Sequence, residues 1–270
     1  MPRTLWVVSD LHVTWPANRD RVERLRPAEP GDWLIVAGDV AEAIDVVVDT
    51  LVALRRRFSR VIWTPGNHEL FARSSDRFRG RERYRVLVDL LREVGVDTPE
   101  DPYPVFGDVT VAPLFTLYDY SFRPPGLTAE QALAAAAKAR ATLDDVLFIA
   151  PYVNIPEWCR ERVDYSRRRL DAVEGKTFLV NHWPLAVEPT QAMFHPEMAL
   201  WCGTTLTRDF PQTYQSVAVA HGHLHMPREL TIDGVPHFDV SLGYPFEQAH
   251  HPRRPWPLPG LRIAQVDSST

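Results

Sequence analysis

Short apolar runs in this chain repeatedly break off into aspartate, asparagine or histidine, and that junction limits the fold more than any other feature. Leu5–Ser9 runs into Asp10 and His12, Trp33–Val36 into Gly38-Asp39, and Val61–Thr64 into Pro65, Gly66, Asn67 and His68. Further on, Thr177–Asn181 meets His182, and Ser216–Ala220 meets Gly222, His223 and His225. Short apolar runs bounded by turn residues read as buried strands. In an open α/β sheet, ligands gather at the strand ends. Packing alone gives no reason to place oxygen- and nitrogen-bearing side chains after five separate strands.

The segments between these runs carry helical periodicity. Glu42–Phe58 places Val46, Val47, Leu51 and Leu54 on one stripe, and Arg83–Val94 does so with Val86, Leu87, Leu90, Leu91 and Val94. Strand, helix, strand, helix predicts an α/β core. Gly107-Asp108 and Asp233-Gly234 read as hairpin turns, the first between Tyr103–Phe106 and Val109–Ala112, the second between Glu229–Ile232 and Pro236–Asp239. Leu117–Leu127 reads as a loop. Thr128 and Gln131 predict a capping box ahead of an alanine-rich helix ending near Leu143. Pro156–Val173 predicts an arginine-rich helix, and Leu261–Asp267 a last strand. The organisation expected is one domain over residues 1–270. Residues 115–173 would be a helical and loop insertion forming part of a substrate cleft, and the proline-rich 250–260 an irregular covering segment.

Composition narrows the classes of function. The chain is long enough for a sizeable core, and 45% hydrophobic with 24% charged residues is ordinary for a soluble protein. A net charge of -5 argues against a general binder of nucleic acid or anionic membrane. No apolar run approaches the roughly 18 residues of a membrane span, and nothing resembles a signal peptide. Cys159 and Cys202 form neither a close metal pair nor a disulfide framework, and suit a reducing compartment. A cytoplasmic protein is expected.

Taken singly, the polar residues have ordinary readings. Asp10 or Asp39 serves as a turn residue or helix cap, His12 as a satisfied histidine, and Asn67 as a turn residue. Together they form a set of aspartate, asparagine and histidine donors, which suits borderline divalent metals such as Mn²⁺, Fe²⁺ or Zn²⁺. In order they read Asp10-Leu11-His12, Gly38-Asp39, Gly66-Asn67-His68-Glu69, Asn181-His182 and Gly222-His223-Leu224-His225. This series resembles that of the calcineurin-like metallophosphoesterases over residues 5 to 243. A mild departure is Glu42, where the family often has aspartate.

The resemblance implies a four-layer α-β-β-α sandwich of two mixed sheets flanked by helices. It also implies two divalent metal ions, Mn, Fe or Zn. Asp10, His12, Asp39 and His225 would hold one, and Asp39, Asn67, His182 and His223 the other, with Asp39 bridging. The implied reaction is hydrolysis of a phosphomonoester or phosphodiester by a metal-bridging hydroxide, with His68 assisting the leaving group. Two other readings stay open: a catalytically weak interaction module on this fold, and a nuclease.

The substrate is less legible. A small phosphorylated organic molecule is expected, with Asn18, Arg19 and His195 as candidates to contact it. Arginine suits phosphate through its planar fork. Tyr118, Tyr120, Phe122, Tyr152, Trp158 and Trp183 either line an aromatic cleft or pack beneath loops. Glu69 either orients His68 or is a plain turn carboxylate. The arginines at 160, 162 and 167–169 read as a solvated helix face paired with Glu157, Asp164 and Asp171, or as a contact for a polyanion.

Overall fold

The first three apolar runs lie side by side as parallel strands. In the computed structural model, which describes residues 3–251 and 256–263, these are β1 (Arg3–Val8), β2 (Trp33–Val36) and β3 (Arg60–Trp63). They are joined through α1 (Pro16–Glu23) and α2 (Ile44–Arg55) and followed by α3 (Asn67–Leu70) and α4 (Gly80–Glu93). α2 buries Val47, Leu51 and Leu54, and α4 buries Tyr84, Leu87, Val88 and Leu91, each an i, i+3, i+4, i+7 stripe in whole or part.

A second sheet follows. Its strands are β4 (Val105–Phe106), β5 (Val109–Pro113), β6 (Lys176–Val180), β7 (Ser216–His221), β8 (Glu229–Ile232) and β9 (Val235–Asp239), in spatial order β4-β5-β6-β7-β9-β8. The central pairs are parallel, and both outer pairs are the antiparallel hairpins expected at Gly107-Asp108 and Asp233-Gly234. Between β5 and β6 run α5 (Ala129–Lys138), α6 (Asp145–Phe148) and α7 (Ile155–Leu170); α8 (Phe210–Thr213) precedes β7. The capping box forms as predicted: the Gln131 amide N–H donates to the Thr128 hydroxyl, and the Thr128 N–H to the Gln131 side chain.

The chain then returns to the first sheet as β10 (Leu258–Ile263), antiparallel on the free edge of β1. The predicted last strand therefore begins three residues early, inside the segment expected to be irregular. Residues 252–255 and the predicted strand's end at 264–267 lie outside the described residues. Proline in a strand is tolerated at an edge or a bulge. Pro259 has both, on the edge strand and opposite the Leu5/Trp6 irregularity.

Side chains on a strand alternate between faces. Leu5, Val7, Trp33, Ile35 and Ile62 from one sheet meet Val111, Phe178, Val180, Ala218 and Ala220 from the other in one apolar layer. Val8, Leu34, Val36, Trp63, Leu179 and Val219 turn the other way and join the helices in a larger core. The result is the expected sandwich of two mixed sheets flanked by helices. No described helix is long and apolar enough to cross a membrane.

Three arginines of α7 fasten that helix, while Arg160 and Arg168 are exposed. Arg162 pairs with Glu100 at 2.7 Å and Arg167 with Asp209 at 3.1 Å, while Arg169 donates to the Pro99 and Asp101 carbonyls. Their partners come from other segments, not from the helix's own acids.

One buried acid braces the first sheet. Asp32 accepts the Thr4 N–H at 2.7 Å, the Trp6 indole N–H at 2.8 Å, and the Ala28 and Glu29 N–H groups at 2.9 and 3.1 Å. Asp32→Ala leaves four donors without a partner and is expected to cost about 2–4 kcal/mol in urea denaturation. Burial alone would raise the Asp32 pKa, but the bonds from Trp6, Thr4, Glu29 and Ala28 outweigh it and hold it below 3.8. A depressed folded pKa stabilises above the unfolded value and loses that stability on acidification. The gap between wild type and variant should therefore narrow below about pH 4.

Candidate metal centre and active site

The strand ends converge because the backbone turns sharply there. Asp10, His12, Asp39, His223 and His225 all adopt left-handed conformations, with φ of 53°, 41°, 56°, 69° and 53°. Side chains other than glycine avoid this region, at a cost of about 1–3 kcal/mol each, and exceptions cluster at functional sites. Here the turns aim five donors at one point rather than letting the strand alternation separate them.

Two glycines permit the approach. A Cβ on Gly66 would collide with the Asp39 carboxylate and its backbone nitrogen, and one on Gly222 with Ser9 Oγ and the Asp10 carboxylate. Gly222→Ala is expected to lose bound metal and activity together, read by elemental analysis of the purified protein. A variant with full metal content would show that the loops can yield.

Asp10, His12, Asp39 and His225 are grouped closely enough to hold one ion. The Nε2 atoms of His12 and His225 lie 3.2 Å apart, and His225 Nε2 is 3.0 Å from Asp10 Oδ1. Beside them, Asn67 Oδ1 lies 3.2 Å from His182 Nε2 and 3.1 Å from His223 Nδ1. Asp39 stands between the two groups, its Oδ2 3.4 Å from His182 Nε2 and 3.9 Å from His12 Nε2.

The hydrogen bonds around these groups leave one acceptor facing another between Asn67 and His223. His223 Nε2–H donates to the Trp201 carbonyl at 3.1 Å, so Nδ1 presents a lone pair. Asn67 Nδ2 donates to Asp145 at 2.9 Å, which fixes Oδ1 toward that same lone pair. His182 Nδ1–H donates to the Ala37 carbonyl at 2.8 Å and directs Nε2 inward. His225 Nδ1 is held by Glu247 at 2.7 Å. Partners of this kind orient histidine ligands in metal sites. Burial keeps His12 and His223 neutral, with pKa values near 4 and 3. Burial would do the same to His182, but Asp39 outweighs it and raises that pKa to about 9. The fixed negative charge thus favours a positive occupant, and divalent cations would displace such protons. The donor set fits metal binding.

His68 stands outside the donor set but beside it. Its Nδ1 pairs with Glu42 at 2.8 Å, and its Nε2 lies 3.9 Å from Asp39 Oδ2. Burial would lower its pKa; Asp39 and then Glu42 raise it to about 9. The partner of His68 is therefore Glu42, the residue that departs from the family pattern. Glu69 instead ties two loops together. It is buried and accepts the N–H groups of Asp39, Val40 and Gly66 at 2.8 to 2.9 Å. Burial pushes its pKa up to about 7.

None of Asn18, Arg19 and His195, the candidates for substrate contact, lines the space beside His68. Asn18 is 1% exposed, and its amide bonds the Leu11 and Gly243 carbonyls and Gln248. It braces the loop under the site because its hydrogen-bonding capacity is spent on the backbone. Arg19 donates Nε to the Val13 carbonyl at 3.1 Å, and His195 is exposed beside Phe194. Of the six aromatics proposed for a cleft, Tyr118, Phe122, Trp158 and Trp183 are core residues, and none of the six lines the space beside His68.

That space is a cleft of about 1160 Å³, with His68 and Tyr244 among its lining residues. Ile44, Val48, Phe71, Phe78, Leu90 and Phe148 give it apolar walls, while Arg73 and Arg77 add positive charge and Asp45 and Asp49 negative. Asp144 and Phe148 reach it from the 115–173 segment. Asp145, Glu247 and Tyr244 were not found from the sequence, since they belong to no motif. Glu42 had a signal, its place three residues after Asp39.

The fold, the five converging strand ends and the paired donor groups define the class. The chain belongs to the calcineurin-like phosphoesterases, whose family model matches residues 3–227, and is a metal-dependent phosphoesterase. Among individual relatives, it is 48% identical over 255 residues to the acyl-carrier-protein phosphodiesterase PptH of Mycobacterium tuberculosis (strain ATCC 25618 / H37Rv), covering 90% of this chain and 79% of that protein. It also matches the crystal structure of phosphopantetheinyl hydrolase PptH from Mycobacterium tuberculosis with a TM-score of 0.89 and 44% identity, over 94% of both chains.

Proposed function

We propose that this protein is a dinuclear phosphodiesterase that cleaves the ester joining a phosphopantetheinyl group to an acyl carrier protein. The observation that carries the reading is the near-full-length likeness to PptH. The cleft beside His68 supports it, because its volume and largely apolar walls can take a chain of methylene and amide groups. The substrate is then borne by a protein, where the sequence pointed to a small free molecule. The 115–173 segment forms part of the cleft through Asp144 and Phe148. The two free, buried cysteines fit a cytoplasmic setting.

In this reading Asp10, His12, Asp39 and His225 hold one divalent cation, and Asp39, Asn67, His182 and His223 the other. Donors limited to nitrogen and oxygen suit Mn²⁺, Fe²⁺ or Zn²⁺. When bound, such a pair polarises the phosphoryl group and lowers the pKa of water. Asp39 separates the two positive charges with its own negative one. Asp145 keeps the Asn67 oxygen, not its NH₂, turned toward His182 and His223, where it would serve as a ligand. Glu42 holds His68 Nδ1–H, so Nε2–H is the proton available to the departing ester oxygen.

The test is incubation with a phosphopantetheinylated carrier protein, followed by intact-protein mass spectrometry. Conversion to the unmodified carrier, dependent on added Mn²⁺ and accompanied by about two bound metals per chain, is the expected result. An unchanged carrier beside rapid hydrolysis of an aryl phosphodiester would leave the class standing and reject the substrate.

A further inference from the structure

Tyr244 lines the cleft with its hydroxyl toward His68 Nε2, on the opposite ring nitrogen from Glu42, and has no assigned part in holding metal. Its hydroxyl lies 3.4 Å from His68 Nε2, a long contact that leaves the phenol able to bond a group placed beside both. The ring is clamped: His12 stacks on it at 4.4 Å and 29°, and Phe246 at 5.4 Å and 17°. Trp15 closes the outer side at 6.0 Å. The backbone is anchored as well. The Tyr244 N–H donates to Glu247 Oε2 at 2.8 Å, the same oxygen that bonds His225 Nδ1 at 2.7 Å. The preceding Gly243 N–H donates to the Asp10 carbonyl at 3.2 Å. A donor held this firmly needs no reorganisation when charge develops nearby.

We propose that Tyr244 is a catalytic residue whose O–H donates to a non-bridging oxygen of the phosphoryl group under attack. Water oxygen bonds to phosphorus and releases a proton to solvent, the ester P–O bond breaks, and the departing oxygen takes its proton from His68, which solvent then reprotonates. Tyr244 keeps its own proton throughout and stabilises charge on an oxygen that stays bound to phosphorus. A phenol is neutral near pH 7, which suits a diester's single negative charge better than a guanidinium would. The inference rests on the reading of the site as a phosphodiesterase centre, but not on the carrier protein as substrate.

Tyr244→Phe removes the oxygen and keeps the stacked ring. The test uses the metal-loaded full chain and an aryl phosphodiester, with Tyr244→Phe beside the wild type. The expected result is a fall in kcat of about 10- to 100-fold for Tyr244→Phe, a size typical of losing one such donor or somewhat less. KM and metal content should stay near the wild-type values. Wild-type kcat in Tyr244→Phe, or lost metal, would each overturn the assignment. If the wild type cleaves the aryl diester but not the carrier protein, the substrate reading fails while the result for Tyr244 still stands.

Discussion

Replacing Asp39 with asparagine is expected to lower kcat/KM by about 10³-fold or more, equivalent to about 4 kcal/mol of transition-state stabilisation. The variant keeps the size of the side chain and removes its charge. In the wild type, Asp39 Oδ2 is within 3.4 Å of His182 Nε2 and 3.9 Å of both His12 and His68 Nε2. Its Oδ1 accepts the His68 backbone N–H at 2.9 Å, which holds the Gly66–Glu69 loop against the Gly38-Asp39 loop. An amide offers one oxygen instead of two and sets an NH₂ group toward imidazoles or cations. Metal content should fall with activity, and elemental analysis alongside kinetics checks both. Two metals retained with activity within about tenfold of wild type would remove Asp39 from the bridging position.

His68→Ala should behave differently, because His68 is outside the two donor groups. Metal content is expected to hold while the rate on an alkyl or serine phosphodiester falls by about 10²–10⁴-fold, the range for loss of a general acid. An ester whose departing oxygen needs no proton, such as a nitrophenyl ester, should lose much less. The ratio of the two losses is therefore the informative quantity. Equal losses on both esters would contradict the acid role and leave His68 as a charge near the phosphate. The position of Glu42, 2.8 Å from Nδ1, adds that Glu42→Gln should produce a weaker form of the same pattern.

Much of the architecture was legible because apolar spacing is a local property. The parallel strands, both hairpins and the amphipathic α2, α4 and α7 follow from residues within a few positions of one another. α1 was not legible: it buries only Asn18 and Val22 and has no apolar stripe, so its formation depends on Pro16 at its start and on the loop it sits against. The start of β10 was hidden by Pro257 and Pro259, which argue against a strand unless its place at the sheet edge is known.

For the site, the sequence by itself determined the chemical inventory and its order: which acids, histidines and asparagine follow which strands, and hence the family. Short-range spacing carries that information, since each motif sits on one strand and its turn. Only the tertiary structure decided how those groups meet and what surrounds them. It put Glu42 rather than Glu69 on His68, placed Asp145 behind Asn67 from 78 residues away, and brought Glu247 and Tyr244 to the edge of the donor set. It also turned Asn18 inward and moved the cleft away from the aromatics that had looked suited to line it. These contacts join segments far apart in the chain. Their partners are selected by the packing of two sheets and their helices, which no local pattern records.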